Sequence, residues 1–174
     1  MKHRRLGPLL GAALLVGSSP VLGQVEVRSD QGQSIYRVGP VRTSEFTLTA
    51  DFTCPGEDAC DPGTVRVIFS MTDYGPLLHK DDYSVQLVLD EETELAVASP
   101  QYLQQSAGGA YVTELIICRI PTTDFRVIAN AKKVEYRIGA AKGELTKKQR
   151  KSLEALAEEL IELVEPEVAG DPEV

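Results

Sequence analysis

From Gln24 to Ile120 the apolar positions recur mainly at every second residue, the period of a strand with one buried and one wet side. VEVR and IYRV are short alternating runs separated by the turn-prone SDQGQS. In SEFTLTADF, Phe46, Leu48, Ala50 and Phe52 fall on one face, with Glu45, Thr47, Thr49 and Asp51 expected on the wet side. VRVIFSMT turns Val65, Val67, Phe69 and Met71 inward, and YSVQLVLD does the same with Tyr83, Val85, Leu87 and Leu89. DEET and ELAVAS then read as a turn and the return strand of a hairpin. Pro100 makes QYLQQS an edge strand or an irregular return, because proline cannot donate to a central ladder. YVTELIICRI, the most apolar run, is expected at the centre of a sheet, with Val112, Glu114, Ile116, Cys118 and Ile120 on one face.

After Pro121 the period lengthens. In TTDFRVIANA, Phe125, Ile128 and Ala129 lie on one helical stripe, with a threonine or Asp124 positioned to cap the start and Asn130 suited to a left-handed end. KVEYRIG returns to period two, with Val134, Tyr136 and Ile138 inward, and GAAKGE supplies a turn. A second helix is expected over about residues 146–165. Thr146 and Gln149 have capping-box spacing, and Leu153, Leu156, Leu160, Leu163 and Val164 form a stripe widened by Ala157 and Ile161. Basic residues crowd its start and acidic ones its end, which opposes the helix dipole, so this helix needs packing to persist. The sum is a mainly β (α+β) domain: an antiparallel β-sandwich or curled sheet with a short helix and a long C-terminal amphipathic helix packed on it.

The ends of the chain bear on compartment. MKHRRLGPLLGAALLVGSSPVLG joins a basic start to a short apolar run and small residues at Val21 and Gly23, the pattern of a secretory signal over residues 1–23. The run is shorter than the roughly 20 residues that span a bilayer, so no membrane span is expected after cleavage. Residues 24–165 then form one domain, and the proline-bearing acidic stretch 166–174 a disordered tail. Secretion or a periplasmic location permits disulfides. Cys54 and Cys60 bracket the turn-rich CPGEDAC and are expected to bridge, while Cys118 sits on a strand's buried face as a free thiol. Three cysteines leave three pairings formally open.

Charge narrows the partners. With 18 basic and 26 acidic side chains the net charge is −8, and loss of Lys2, Arg4 and Arg5 with the leader makes it more negative. Such a chain is repelled by nucleic-acid backbones and anionic lipid; its acidity suits solubility first, and is compatible with a basic protein partner or with cations. The basic run KKQRK at the second helix's start reads as a solvated first turn.

Candidate chemistry is sparse. His79 lies beside Asp81 and Asp82, but no G-x-S-x-G elbow accompanies it. Glu57, Asp58 and Asp61 offer hard oxygens for calcium without the ordered spacing of an EF-hand loop. Asp90, Glu91, Glu92 and Glu94 cluster at a turn, and no tryptophan is present to line a sugar cleft. No cofactor motif and no catalytic set emerge. IANAKKVEYRIG followed by ELTKKQRKSLEALA resembles the closing segment of a group of small, exported, functionally uncharacterised bacterial β-rich proteins. That resemblance implies that the last helix is integral to the fold, and it brings no catalytic residues. The expected function is an exported, non-catalytic binding or protein-interaction module. The alternative is an extracytoplasmic hydrolase with a dispersed site that includes His79.

Overall fold

A computed structural model of the chain describes residues 24–42, 46–56, 60–74, 83–139 and 141–164. The signal segment, the acidic tail, and Glu57, Asp58, His79, Asp81 and Asp82 lie outside the described residues.

The alternating runs become two antiparallel sheets. The larger contains β1 (Glu26–Asp30), β2 (Gln33–Arg42), β3 (Thr47–Pro55), β4 (Thr64–Tyr74), β7 (Gln101–Gly108) and β8 (Tyr111–Pro121), in the order β1-β2-β3-β4-β8-β7. The smaller contains β5 (Val85–Leu89), β6 (Thr93–Ala96), β9 (Val134–Ile138) and β10 (Ala141–Glu144), in the order β10-β9-β5-β6. Helix α1 (Thr122–Asn130) continues directly from β8, and α2 (Lys147–Val164) closes the described chain. The most apolar run, β8, is interior, and QYLQQS forms the edge strand β7.

The core lies on one face of the larger sheet. Leu48, Ala50, Val65, Val67, Phe69, Ile116 and Cys118 are buried there, as the alternation predicts. Tyr136 of β9 joins the two sheets through aromatic edges, with ring centroids 4.8 Å from Phe46 and 6.4 Å from Phe69. Elsewhere on that face α1 packs on β4 and β8, and α2 packs on β2, β3 and α1. Leu153, Leu156, Ala157 and Leu160 are buried, so the leucine stripe covers the chain's own core. Its capping box is made: the Thr146 N–H donates to Gln149 Oε1 at 2.9 Å, and the Gln149 N–H donates to Thr146 Oγ1 at 3.3 Å.

Five local expectations are corrected. β1 is a true strand, but every side chain on it is exposed, including Val27, because it pairs only with β2 at the sheet margin. The GAAKGE stretch holds the short strand β10, since Gly143 lets its backbone cross the Tyr136 ring where a Cβ would collide with it. Helix α1 starts after Pro121 without a side-chain cap, proline having fixed the turn. Asn130 stays helical, its Nδ2 donating to the Arg126 carbonyl at 2.9 Å, and the chain leaves through an extended Ala131. The fifth correction concerns Asp51. It lies on the outer face yet is 2% exposed, and its neighbours explain why.

Candidate anion-binding face

The outer face of the larger sheet is assembled by register. Glu26 pairs with Arg37, Arg37 with Asp51, Asp51 with Arg66, and Arg66 with Arg119, so one row of charges crosses β1, β2, β3, β4 and β8. Asp51 is covered from both sides. Arg66 Nε donates to Oδ1 and Nη2 to Oδ2, each at 2.8 Å, the parallel fork that suits a guanidinium and a carboxylate. Arg37 reaches Oδ2 with Nη2 at 2.9 Å and with Nε at 3.2 Å. These bonds satisfy a carboxylate that would otherwise be costly to bury. The hydrogen bond from Arg66 to Asp51, helped by its charge, raises the Arg66 pKa against the opposing effect of burial.

Arg119 stands differently. It faces Arg66 directly across the β4–β8 ladder, and among the described residues no carboxylate pairs with it. Like charges directly opposite each other on neighbouring strands repel. Glu26, at the far end of the row, is engaged by Arg28 at 2.8 Å. Beside the two facing arginines lies a shallow depression of about 230 Å³, into which Thr53 and Thr64 also contribute. Two arginines and two threonines thus border one small space, with Asp51, already held by Arg66, at its side.

Farther along β4 and β8 the same face changes character. Ile68 pairs with Ile117, and Leu115 lies between Ser70 and Leu103. The Thr72 and Thr113 hydroxyls meet at 2.8 Å. At the far end Tyr74 and Tyr111 form an exposed edge-to-face pair with centroids 6.0 Å apart. The face therefore grades from cationic through aliphatic to aromatic.

The residues singled out from sequence fall elsewhere. Cys54 and Cys60 form the disulfide, with their Cα atoms 5.8 Å apart. Asp61 accepts the Gly63 N–H at 2.9 Å, which closes its own turn. Among the described residues no group of three His, Cys, Asp or Glu side chains is arranged to hold a metal. Cys118 is free and buried, and burial pushes its thiol up to about 12, away from reactivity at neutral pH. In the acidic turn, Asp90 Oδ1 accepts the Lys133 N–H at 2.8 Å, and Lys133 Nζ bonds Glu91 at 2.7 Å and Glu135 at 2.9 Å. Those contacts hold Asp90 and Glu91 in left-handed conformations that side chains ordinarily avoid. A larger open depression of about 530 Å³ separates that turn from α1. Two polar side chains at its rim, Asp90 and Asn130, already serve the local backbone.

Glu114 is the other buried acid among the described residues. It lies on the inner face of β8 and accepts the Tyr102 hydroxyl at 2.7 Å, fastening edge strand β7 to its neighbour. Burial, followed by this hydrogen bond and the Glu114 charge, pushes the Tyr102 phenol up to about 12.

Arg37, Arg66 and Arg119 carry no sequence motif. Each sits at an ordinary polar position of an alternating strand, and only strand register makes them neighbours. Among the described residues no helix is long and apolar enough to cross a membrane. Comparison with family models, with curated proteins and with solved structures finds no match to this chain.

Proposed function

We propose that the chain is an exported, non-catalytic binding module that holds an oxyanion-bearing ligand, a carboxylate or a phosphate, between Arg66 and Arg119. The observation that carries this reading is the facing of two arginines across β4 and β8, beside a depression and, among the described residues, without a carboxylate for the second. An anion placed there relieves their repulsion and takes the forked hydrogen bonds that guanidinium groups supply. Asp51 engages the Nε and Nη2 atoms of Arg66 and fixes that group beside the depression. The net charge of −8 selects against long polyanions, because a nucleic-acid backbone would meet acidic surface beyond this patch. The aliphatic and tyrosine positions farther along the face favour a ligand with one anionic end and an apolar body. Export is supported by the N-terminal leader pattern and is in keeping with the disulfide.

The test uses inorganic phosphate and acetate as minimal probes, followed through the arginine Nε–H signals by NMR. One or both probes should shift the Arg66 and Arg119 signals saturably, and Arg119→Gln should remove the response while leaving the thermal midpoint unchanged. If neither probe moves these signals, or Arg119→Gln leaves the response intact, the reading is wrong.

A further inference from the structure

The larger sheet ends in two dissimilar edges. β1 carries Glu26, Arg28 and Asp30, charges of the kind that discourage a further strand from pairing. In the smaller sheet, the edges β6 and β10 are four residues long and each carries charge. β7 is eight residues, QYLQQSAG, with no charged side chain, and seven of the eight are exposed. Its inner flank is fixed by the ladder to β8, by the Tyr102–Glu114 hydrogen bond and by stacking of Tyr102 on Tyr83 at 5.5 Å. Its outer flank faces no described strand. A rigid, uncharged, unprotected edge is a template for another strand.

We infer that the strand added at β7 is β7 of a second copy, paired antiparallel about a two-fold axis through Leu103. Three observations select this occupant and this register. Charge is the first: two copies at −8 each repel, and β7 is the sheet edge along which they can approach without facing acids. The second is the length of regular strand. Pro100 precedes it without an N–H, and the ladder to β8 keeps register from Gln101 to Ser106 before it shifts at Gly108, which leaves a short regular run with Leu103 in its middle part. The third is Leu103 itself. It is 46% exposed on the outer face beside Leu115, and the two-fold places it against its own counterpart. Gln101 then faces Gln105 of the other copy and Tyr102 faces Gln104, with no charge at any pair. A two-fold pairing uses up both free edges, so it closes at a dimer and does not propagate. It also joins the two outer faces into one surface carrying two arginine pairs.

The ladder is short, so association is expected at concentrations on the order of tens to hundreds of micromolar, as for a small interface. Sedimentation velocity of the full chain over that range should show the apparent mass rising toward twofold. Leu103→Lys and Leu103→Glu, each at an exposed position, should separately remain monomeric, because each opposes like charges at the axis. An equimolar mixture of the two should recover the doubled mass. A wild-type chain that stays monomeric throughout overturns the inference. So does a dimer that survives both substitutions, or a mixture that fails to reassociate, since either outcome removes Leu103 from the axis. Arg119→Gln should leave the dimer intact, which separates this result from the fate of the anion site.

Discussion

On β4 the side chains of Val65, Val67, Phe69 and Met71 are shut away from water, whereas Arg66, Ile68 and Ser70 between them are half-exposed. β8 repeats the contrast, with Ile116, Cys118 and Ile120 inward and Leu115, Ile117 and Arg119 outward. The inner face meets a second sheet and two helices, so its composition answers to packing. No described element covers the outer face, so packing does not explain an arginine opposite an arginine or a tyrosine pair left in water. Covered surface reports on stability, and uncovered surface that is neither uniformly polar nor randomly apolar points to contact with something else.

The sharpest way to break this contrast is to substitute neighbours on one strand. Phe69→Ala empties a fully buried site at the junction with Tyr136 and is expected to cost about 4 kcal/mol, while Ile68→Ala, one residue away, should cost about 1 kcal/mol or less. Urea unfolding of both variants checks this, and equal costs would mean that the outer face is itself covered. Next in size is Asp51→Ala, which leaves Arg37 and Arg66 without their acid in a row that ends at Arg119. Removing one partner of a fully buried ion pair costs about 3–5 kcal/mol. Here the arginines reach water, so about 2 kcal/mol is expected, with part recovered by added salt. A salt-insensitive loss would assign the effect to lost packing.

The smallest effect concerns the edge. The Tyr102 phenol, raised to about 12, keeps its proton in the folded state beyond the ordinary value of about 10. Its stabilising contribution is therefore complete below the unfolded value and is lost as pH rises from about 10 through about 12. Alkaline titration of phenolate absorbance should show a late component that Tyr102→Phe removes, together with a shallower fall in stability over that window.

Much of the fold was legible because its signal is local. The alternation in FTLTADF and VRVIFSM, the change of period at Pro121, and the Thr146–Gln149 box each report on residues within one element. The long helix read as a lid because five large apolar side chains on one stripe demand cover. What escaped was whatever depends on neighbours distant in sequence. Asp51 looked solvated because nothing near it in sequence announces Arg37 and Arg66. Arg119 looked ordinary because the sequence does not say that β8 lies beside β4 with that register. β10 was hidden for a related reason: Gly143 looked like turn chemistry, when its small size serves the Tyr136 ring of the adjacent strand. Acidic clusters drew attention by being contiguous, and the described one at Asp90 and Glu91 proved to shape a hairpin turn.

The seat of α2 on β2 and β3 also sets a timetable. The strands it covers are made well before the helix itself. β5 likewise waits for β9 before the smaller sheet has its second central partner. A chain made from its N-terminus must hold β2 and β3 without their final cover until α2 has been made. Such long separations between contacting residues slow folding and prolong the exposure of unfinished surface. A polypeptide organised this way completes its core in one late step, when the segment that carries α2 becomes free to dock.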